Sequence, residues 1–221
     1  MPKKKETQES GPIKTFMKVR VTLTEEMLAT KASDPELFKK FIASKHPEKE
    51  GAEDEKNTAD AIAEEIETGK TIFHCSQTVH APVKEGDPGV YNYQIKGHFK
   101  TACSAMRAAD GALSKKLSNF RKVITEQIFI SPRFIVFNLP EGKLGPDCER
   151  PAQGTGPRGP RTMLLSSETA PVGTTFEFEI MVFNKSYLPY IREWLTYGEF
   201  FGYGAWRNGG KGTFTWEELT Q

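Results

Sequence analysis

Apolar and polar residues alternate from Phe16 to Leu23, with Met17, Val19, Val21 and Leu23 on one side and Lys18, Arg20 and Thr22 on the other. A two-residue period of this kind predicts a half-buried strand. Ser33 and Glu36 then make a capping box with Pro35 in the first turn. They predict a helix that buries Leu37, Phe38, Phe41 and Ile42. Ala59, Ile62, Ala63 and Ile66 recur at helical spacing and stop at Gly69. A short strand follows from Thr71 to Cys75, and a helix is expected after Gly97. Phe99, Ala102, Cys103 and Met106 share one face of that helix, with Lys100 and Arg107 off it.

Gln127 to Leu139 is rich in β-branched and aromatic residues but broken by Pro132, which predicts a bent or bulged strand. Thr174 to Phe183 alternates again, with Glu177 and Glu179 outward. Ser186 opens a helix with Leu188, Ile191 and Leu195 inward, stopped by Gly198, and a short aromatic strand around Phe214 and Trp216 closes the chain. Residues 1–14 read as a disordered tail carrying Lys3, Lys4 and Lys5, and 15–221 as a single domain with two insertions. One insertion is the charged loop 46–57. The other is 139–161; its stretch 140–160 holds five glycines and five prolines, which predicts an absence of regular structure. The whole reads as an α+β fold, an antiparallel sheet with helices on one face and loop insertions.

With 221 residues, 37% hydrophobic and 11% aromatic, the chain is long enough for one substantial core. It has no apolar run of membrane-spanning length and no secretory hydrophobic stretch, so no membrane partner is expected. Cys75, Cys103 and Cys148 are odd in number and widely spaced. They argue against a disulfide framework and for a reducing cytoplasm. The formal net charge is only +1, so any nucleic-acid binding must come from locally clustered basic residues.

Such a cluster lies near the C-terminus. Six glycines fall within the fifteen residues from Gly198 to Gly212: Gly198, Gly202, Gly204, Gly209, Gly210 and Gly212. Trp206, Arg207 and Lys211 stand between them. Glycine permits close backbone approach, and successive N–H groups can converge on an anionic oxygen. Arg207 offers a planar fork for phosphate, Lys211 a point charge, and Tyr203 or Trp206 a stacking face. The competing reading is a loop whose glycines only let a helix pack tightly on a sheet. No Gly-Lys-Ser/Thr run opens a helix, so the segment is not a nucleotide-binding P-loop.

The run Gly202-Tyr203-Gly204-Ala205-Trp206-Arg207-Asn208-Gly209-Gly210-Lys211-Gly212-Thr213-Phe214 resembles the C-terminal glycine-rich loop of RAMP (repeat-associated mysterious protein) proteins. Upstream, Ile95-Lys96-Gly97-His98-Phe99-Lys100-Thr101-Ala102 is similar to the Ile/Leu-Lys-Gly-x-x-Arg-x-Ala segment of that superfamily, with Lys100 in place of the arginine. The resemblance extends from residue 16 to 219 and includes a set of small phage and prophage proteins. It implies a ferredoxin-like, RRM-related sheet and CRISPR-related, RNA-binding relatives. It also implies that Lys96, Gly97 and Lys100 begin a helix whose free N–H groups favour phosphate; an ordinary helix start with solvated lysines is the alternative. Arg150, Arg158 and Arg161 border the Gly/Pro insertion, which reads as a clamp over a bound strand, a subunit-contacting arm or a plain surface loop.

The expected activity is therefore single-stranded DNA or RNA binding without catalysis or cofactor, by a homo-oligomer or filament in the cytoplasm (a host cytoplasm if the chain is phage-encoded). Phage replication, recombination or CRISPR proteins are the expected partners. Two alternatives differ in kind. A metal-independent ribonuclease would use His98 or Asp34, and a decoy would dock on a CRISPR complex through the glycine loop. His46, His74, His80 and His98 show no zinc spacing, and Glu64, Glu65 and Glu67 read as a solvated helix face.

Overall fold

A computed structural model describes residues 14–32, 70–73, 86–156 and 159–219, with backbone alone for Ala32, 151–156 and 159–164. Strand β1 (Thr15–Leu23) buries Met17, Val19, Val21 and Leu23 in the alternation that the sequence predicts. Four short strands follow: β2 (Met27–Leu28), β3 (Lys31–Ala32), β4 (Thr71–Ile72) and β5 (Gly89–Tyr91). Then come helix α1 (Asn92–Met106), helix α2 (Phe120–Glu126) and strands β6 (Ile128–Ser131) and β7 (Phe134–Val136). Strands β8 (Gly145–Gly156), β9 (Gly159–Ala170) and β10 (Thr175–Val182), helix α3 (Leu188–Phe201) and strand β11 (Phe214–Leu219) complete the chain.

The main sheet runs β11-β1-β10-β6, antiparallel throughout. In chain order its parts read β1-α1-β6-β10-α3-β11, two split β-α-β units whose strands interleave. That is the ferredoxin-like arrangement, and it follows from the register alone. The inward row of each strand meets the helices. Phe176, Phe178, Ile180 and Val182 of β10 pack with Ile128 and Ile130 of β6 against Ile95, Phe99, Ile191, Trp194 and Leu195. Phe99 and Trp194 meet at 5.6 Å between ring centroids. Burial of such side chains contributes about 1.5–3 kcal/mol each. The Trp194 Nε1–H donates to Ser114 Oγ at 2.8 Å, so the indole is buried without an orphaned donor.

A second sheet carries β2, β9, β4 and β3, with β8 paired to β9, and β5 pairs β7 separately. Three expectations change here, and the expected bend at Pro132 is present. The Gly/Pro stretch 140–160 is not irregular: most of it is a hairpin with twelve residues in each arm. Proline removes a ladder donor, which an edge strand tolerates. Pro146 and Pro151 lie in β8, which among the described residues pairs with β9 alone, and Pro160 lies one residue into β9.

The helix expected after Gly97 begins five residues earlier, at Asn92. The Tyr91 N–H donates to Gln94 Oε1 at 2.7 Å and closes the first turn. Helix α3 runs through Gly198 to Phe201 and ends at Gly202. Gly198 is needed for packing, since a Cβ there would lie 2.2 Å from Phe214 Cζ. The strand 127–139 bends at Pro132 so sharply that its halves join different sheets.

Both helices predicted between Ser33 and Gly69, the loop 46–57, residues 1–13, His74, Cys75 and His80 lie outside the described residues. No helix among the described residues is long and apolar enough to cross a membrane.

Candidate nucleic-acid interface

Helix α3 ends where Gly202 takes φ +78°, and the chain then folds back on itself. The Tyr203 N–H donates to Gly212 O at 2.8 Å, and the Gly212 N–H donates to Glu26 O at 2.9 Å. The Ala205 N–H reaches Leu28 O at 3.1 Å, while those of Gly209 and Gly210 close a short turn on Trp206 O and Arg207 O. These donors are spent inside the protein, so in this conformation they do not converge on an external phosphate. Space explains several of the glycines. A Cβ at Gly202 would sit 2.4 Å from Lys211 O, and one at Gly204 would sit 2.6 Å from Leu28 O. Gly202 and Gly204 thus permit close packing, the role that the competing reading of the sequence gives them.

The side chains of the loop divide in the same way. Tyr203 is buried, its ring edge-on to His98 at 5.8 Å, so it offers no stacking face to a ligand. Its hydroxyl has no hydrogen-bond partner among the described residues, and burial holds it well above the usual tyrosine range. Lys211 pairs with Glu26, and that hydrogen bond raises its pKa. Trp206 differs: it is 42% exposed and held at φ +56° with its indole against Gly209. A left-handed backbone costs a non-glycine residue about 1–2 kcal/mol, so the exposed indole is held at a conformational cost. The Arg207 guanidinium lies over the Phe201 ring at 4.6 Å, and Phe201 packs on Tyr197 at 5.1 Å.

That aromatic pair forms one wall of an open groove of about 680 Å³ between α1 and α3, lined by Lys100, Thr101, Ser104, Ala105, Arg121, Tyr197 and Phe201. Two cations line the groove, Lys100 from α1 and Arg121 from α2, and a third, Arg207, lies over the Phe201 ring that walls it. The sequence reading singled out Lys100 and Arg207 but missed Arg121, Tyr197 and Phe201. The one local signal was the four-residue spacing of Tyr197 and Phe201, off the buried stripe of Ile191, Trp194 and Leu195.

Lys96 and Gly97 stand inside α1 rather than at its N-terminus, which removes the free N–H groups proposed for phosphate there. Lys96 is half-buried; its Nζ donates to Thr125 O at 3.2 Å and lies 5.0 Å from the Phe129 ring centroid. Burial first, and repulsion from Lys100 second, lower its pKa. Gly97 is exposed, and a Cβ there would meet nothing within 4 Å. Gly97→Ala is therefore expected to raise stability by about 0.5–1 kcal/mol, read as a higher urea midpoint at unchanged slope.

Arg150 is half-buried on β8, its Nε buried without a hydrogen-bond partner among the described residues. Arg161 is placed by backbone only, opposite Gly154, and Arg158 lies outside the described residues. His98 is 5% exposed and its Nε2–H donates to Trp194 O at 3.3 Å, so its ring is turned into the core. Asp34 is outside the described residues.

Neither a protein-family model nor a curated protein matches the chain. Among solved structures it is similar to a chain in the cryo-EM structure of the Type III-B Cmr-beta complex bound to cognate target RNA. The identity is 14% and the TM-score 0.47, over 94% of this chain and 61% of that one. It is also similar to a chain of a Type IV-B CRISPR complex, at 10% identity and TM-score 0.47, over 94% of this chain and 91% of that one. The protein thus spans less than two thirds of the first neighbour's length and nearly all of the second's.

Proposed function

We propose that this protein binds single-stranded nucleic acid through the groove between α1 and α3, gripping phosphates with cations and stacking bases on exposed rings. Lys100 and Arg121 lining a groove walled by Tyr197 and Phe201, with Arg207 over the Phe201 ring, carry this reading. A single strand asks for positive charge along its backbone and flat apolar faces for its bases. The groove offers both, and Trp206 stands exposed beside Arg207. A net charge of +1 fits a local grip better than bulk attraction. The proposal includes copies arrayed along one strand, with the β8–β9 hairpin as the reaching arm. A phage setting and CRISPR-related partners rest on the resemblance of the two glycine-bearing motifs alone. No step of catalysis is part of the proposal.

Fluorescence anisotropy with labelled single-stranded DNA, single-stranded RNA and duplex, over a series of salt concentrations, tests it. The triple change Lys100→Ala/Arg121→Ala/Arg207→Ala is expected to weaken single-strand binding about tenfold or more. It should also flatten the plot of log affinity against log salt by about two units, at roughly 0.7 for each phosphate that is no longer neutralised. Lys211→Ala, whose charge is already paired with Glu26, should leave that slope unchanged. Wild-type slope in the triple variant, or no single-strand binding by the wild type at low salt, would overturn the reading.

A further inference from the structure

The face of the main sheet turned away from the helices is divided in two. One part is ionic: Lys18 and Arg20 pair with Glu177, and Arg20 also with Glu217. The other part is apolar. Phe16 stands opposite Met181 in the β1–β10 register, and Met181 opposite Phe129 in the β10–β6 register, so the three form one row across three strands. Phe183, two residues beyond Met181, meets Phe129 edge-on at 5.5 Å. The rings are open to solvent: Phe16 is 41% exposed, Phe129 38% and Phe183 45%. An outward sheet row is ordinarily polar, so three exposed phenylalanines in one row and its flank need an occupant.

Two lysines indicate its chemistry. The Lys14 ammonium lies 5.6 Å from the Phe16 ring centroid, and that of Lys96 lies 5.0 Å from the Phe129 centroid. An apolar protein surface laid on this row would bury both ammonium groups without counter-charges, at a substantial desolvation cost. A nucleic-acid strand brings a flat base for each ring and a phosphate for each ammonium. Lys96 also joins this row to the groove. It springs from α1 one helical turn before Lys100, and its ammonium reaches Thr125 O at the end of α2 and the Phe129 ring on the edge strand β6.

We infer that the row Phe16, Met181, Phe129 and Phe183 is a second contact for the same strand, a stacking ladder that its bases reach past Lys96. This rests on the single-strand reading above and adds a binding surface to it. The strand leaves the α1–α3 groove, passes the Lys96–Lys100 turn and lays bases on the rings, displacing the ammonium groups from the ring faces onto its own phosphates.

Three twelve-unit probes test the ladder: oligo(dT), oligo(U) and an abasic phosphodiester of the same length. Phe129→Ala/Phe183→Ala is expected to weaken both base-bearing probes about tenfold, with the salt slope and abasic binding unchanged. Phe129→Leu/Phe183→Leu keeps apolar bulk without a π-face and should behave like the alanine pair, which separates stacking from plain apolar contact. The ladder is overturned if the alanine pair binds oligo(dT) and oligo(U) as the wild type does, if abasic binding falls equally, or if the leucine pair restores affinity. It is also overturned if sedimentation shows a wild-type dimer that the alanine pair converts to monomer, which would make the row a self-interface. The groove reading fails separately, when the triple cation variant keeps the wild-type salt slope whatever the rings do.

Discussion

Gly212→Ala is expected to lower the free energy of unfolding by about 3 kcal/mol or more. The residue sits at φ +77°, and a Cβ there would lie 1.8 Å from Tyr203 O and within 3.0 Å of two further Tyr203 backbone atoms. No rotamer relieves a clash between Cβ and backbone, so the loop must open. Opening it strains two hydrogen bonds at once, from Tyr203 N–H to Gly212 O and from Gly212 N–H to Glu26 O. Gly210 supplies the control. It has nearly the same φ, +78°, but a Cβ there would meet nothing within 4 Å. Gly210→Ala should therefore cost only the left-handed backbone, about 1 kcal/mol. Urea unfolding of the two variants separates close approach from backbone conformation. Equal losses would show that φ alone sets the role of these glycines.

The contrast explains how far this loop could be read from sequence. Six glycines in fifteen residues announce special backbone geometry. They do not say whether the approaching surface is a ligand or the protein itself. Gly212 is pressed on Tyr203 from the same loop, and Gly204 on Leu28 from the strand after β1. Lys211 is neutralised by Glu26, 185 residues earlier in the chain, a distance over which no local pattern carries information. Tyr203 looked like an exposed stacking face because it stands among glycines. Its backbone pairing with Gly212 instead draws the ring into the core beside His98.

The sheet was the legible part. Alternation over β1 and β10 assigns each side chain to a face, because a two-residue period leaves no other choice when one face is buried. Val19 and Phe178 lie opposite each other on the core side, as the two patterns separately require. Extended by one step at each end, the same rule sends Phe16 and Phe183 to the outer face, where their meaning appears only once Phe129 is seen in the neighbouring strand. The hairpin β8–β9 was illegible for a different reason. Its Gly/Pro content lowers strand propensity, while the ladder between two long edge-tolerant arms supplies what propensity does not.

Beneath the loop, His98 is expected to make the fold acid-sensitive well above the range in which carboxylates titrate. Burial lowers its pKa from 6.5 to about 4, against a smaller raising effect of the hydrogen bond to Trp194 O; the nearby Arg207 charge lowers it further. In the unfolded chain the imidazole takes a proton near pH 6.5, while in the folded protein it stays neutral down to about pH 4. Between those values the unfolded state binds more protons, so stability is complete above pH 6.5 and falls as pH drops. The slope approaches about 1.4 kcal/mol per pH unit, for a total of about 3 kcal/mol by pH 4. Glu177 follows the same sign lower down, since its hydrogen bonds to Lys18 and Arg20 depress its pKa below 4.5. The packed partner of His98 gives the opposite limb. Burial raises the Tyr203 pKa well above 10, so above pH 10 the unfolded chain releases a proton that the folded one keeps, and stability declines. Unfolding free energies measured from pH 4 to 11 should thus fall at both ends. His98→Gln should flatten the stretch between pH 6.5 and 4 and leave the alkaline limb in place. Tyr203→Phe should leave the acid limb in place and weaken the alkaline one, keeping the part due to Tyr93, whose pKa burial pushes up to about 12. It should cost nothing at neutral pH, because it removes a buried hydroxyl that has no partner among the described residues. An unchanged acid limb in His98→Gln would mean that the imidazole is hydrated in solution and titrates as it does in the unfolded chain.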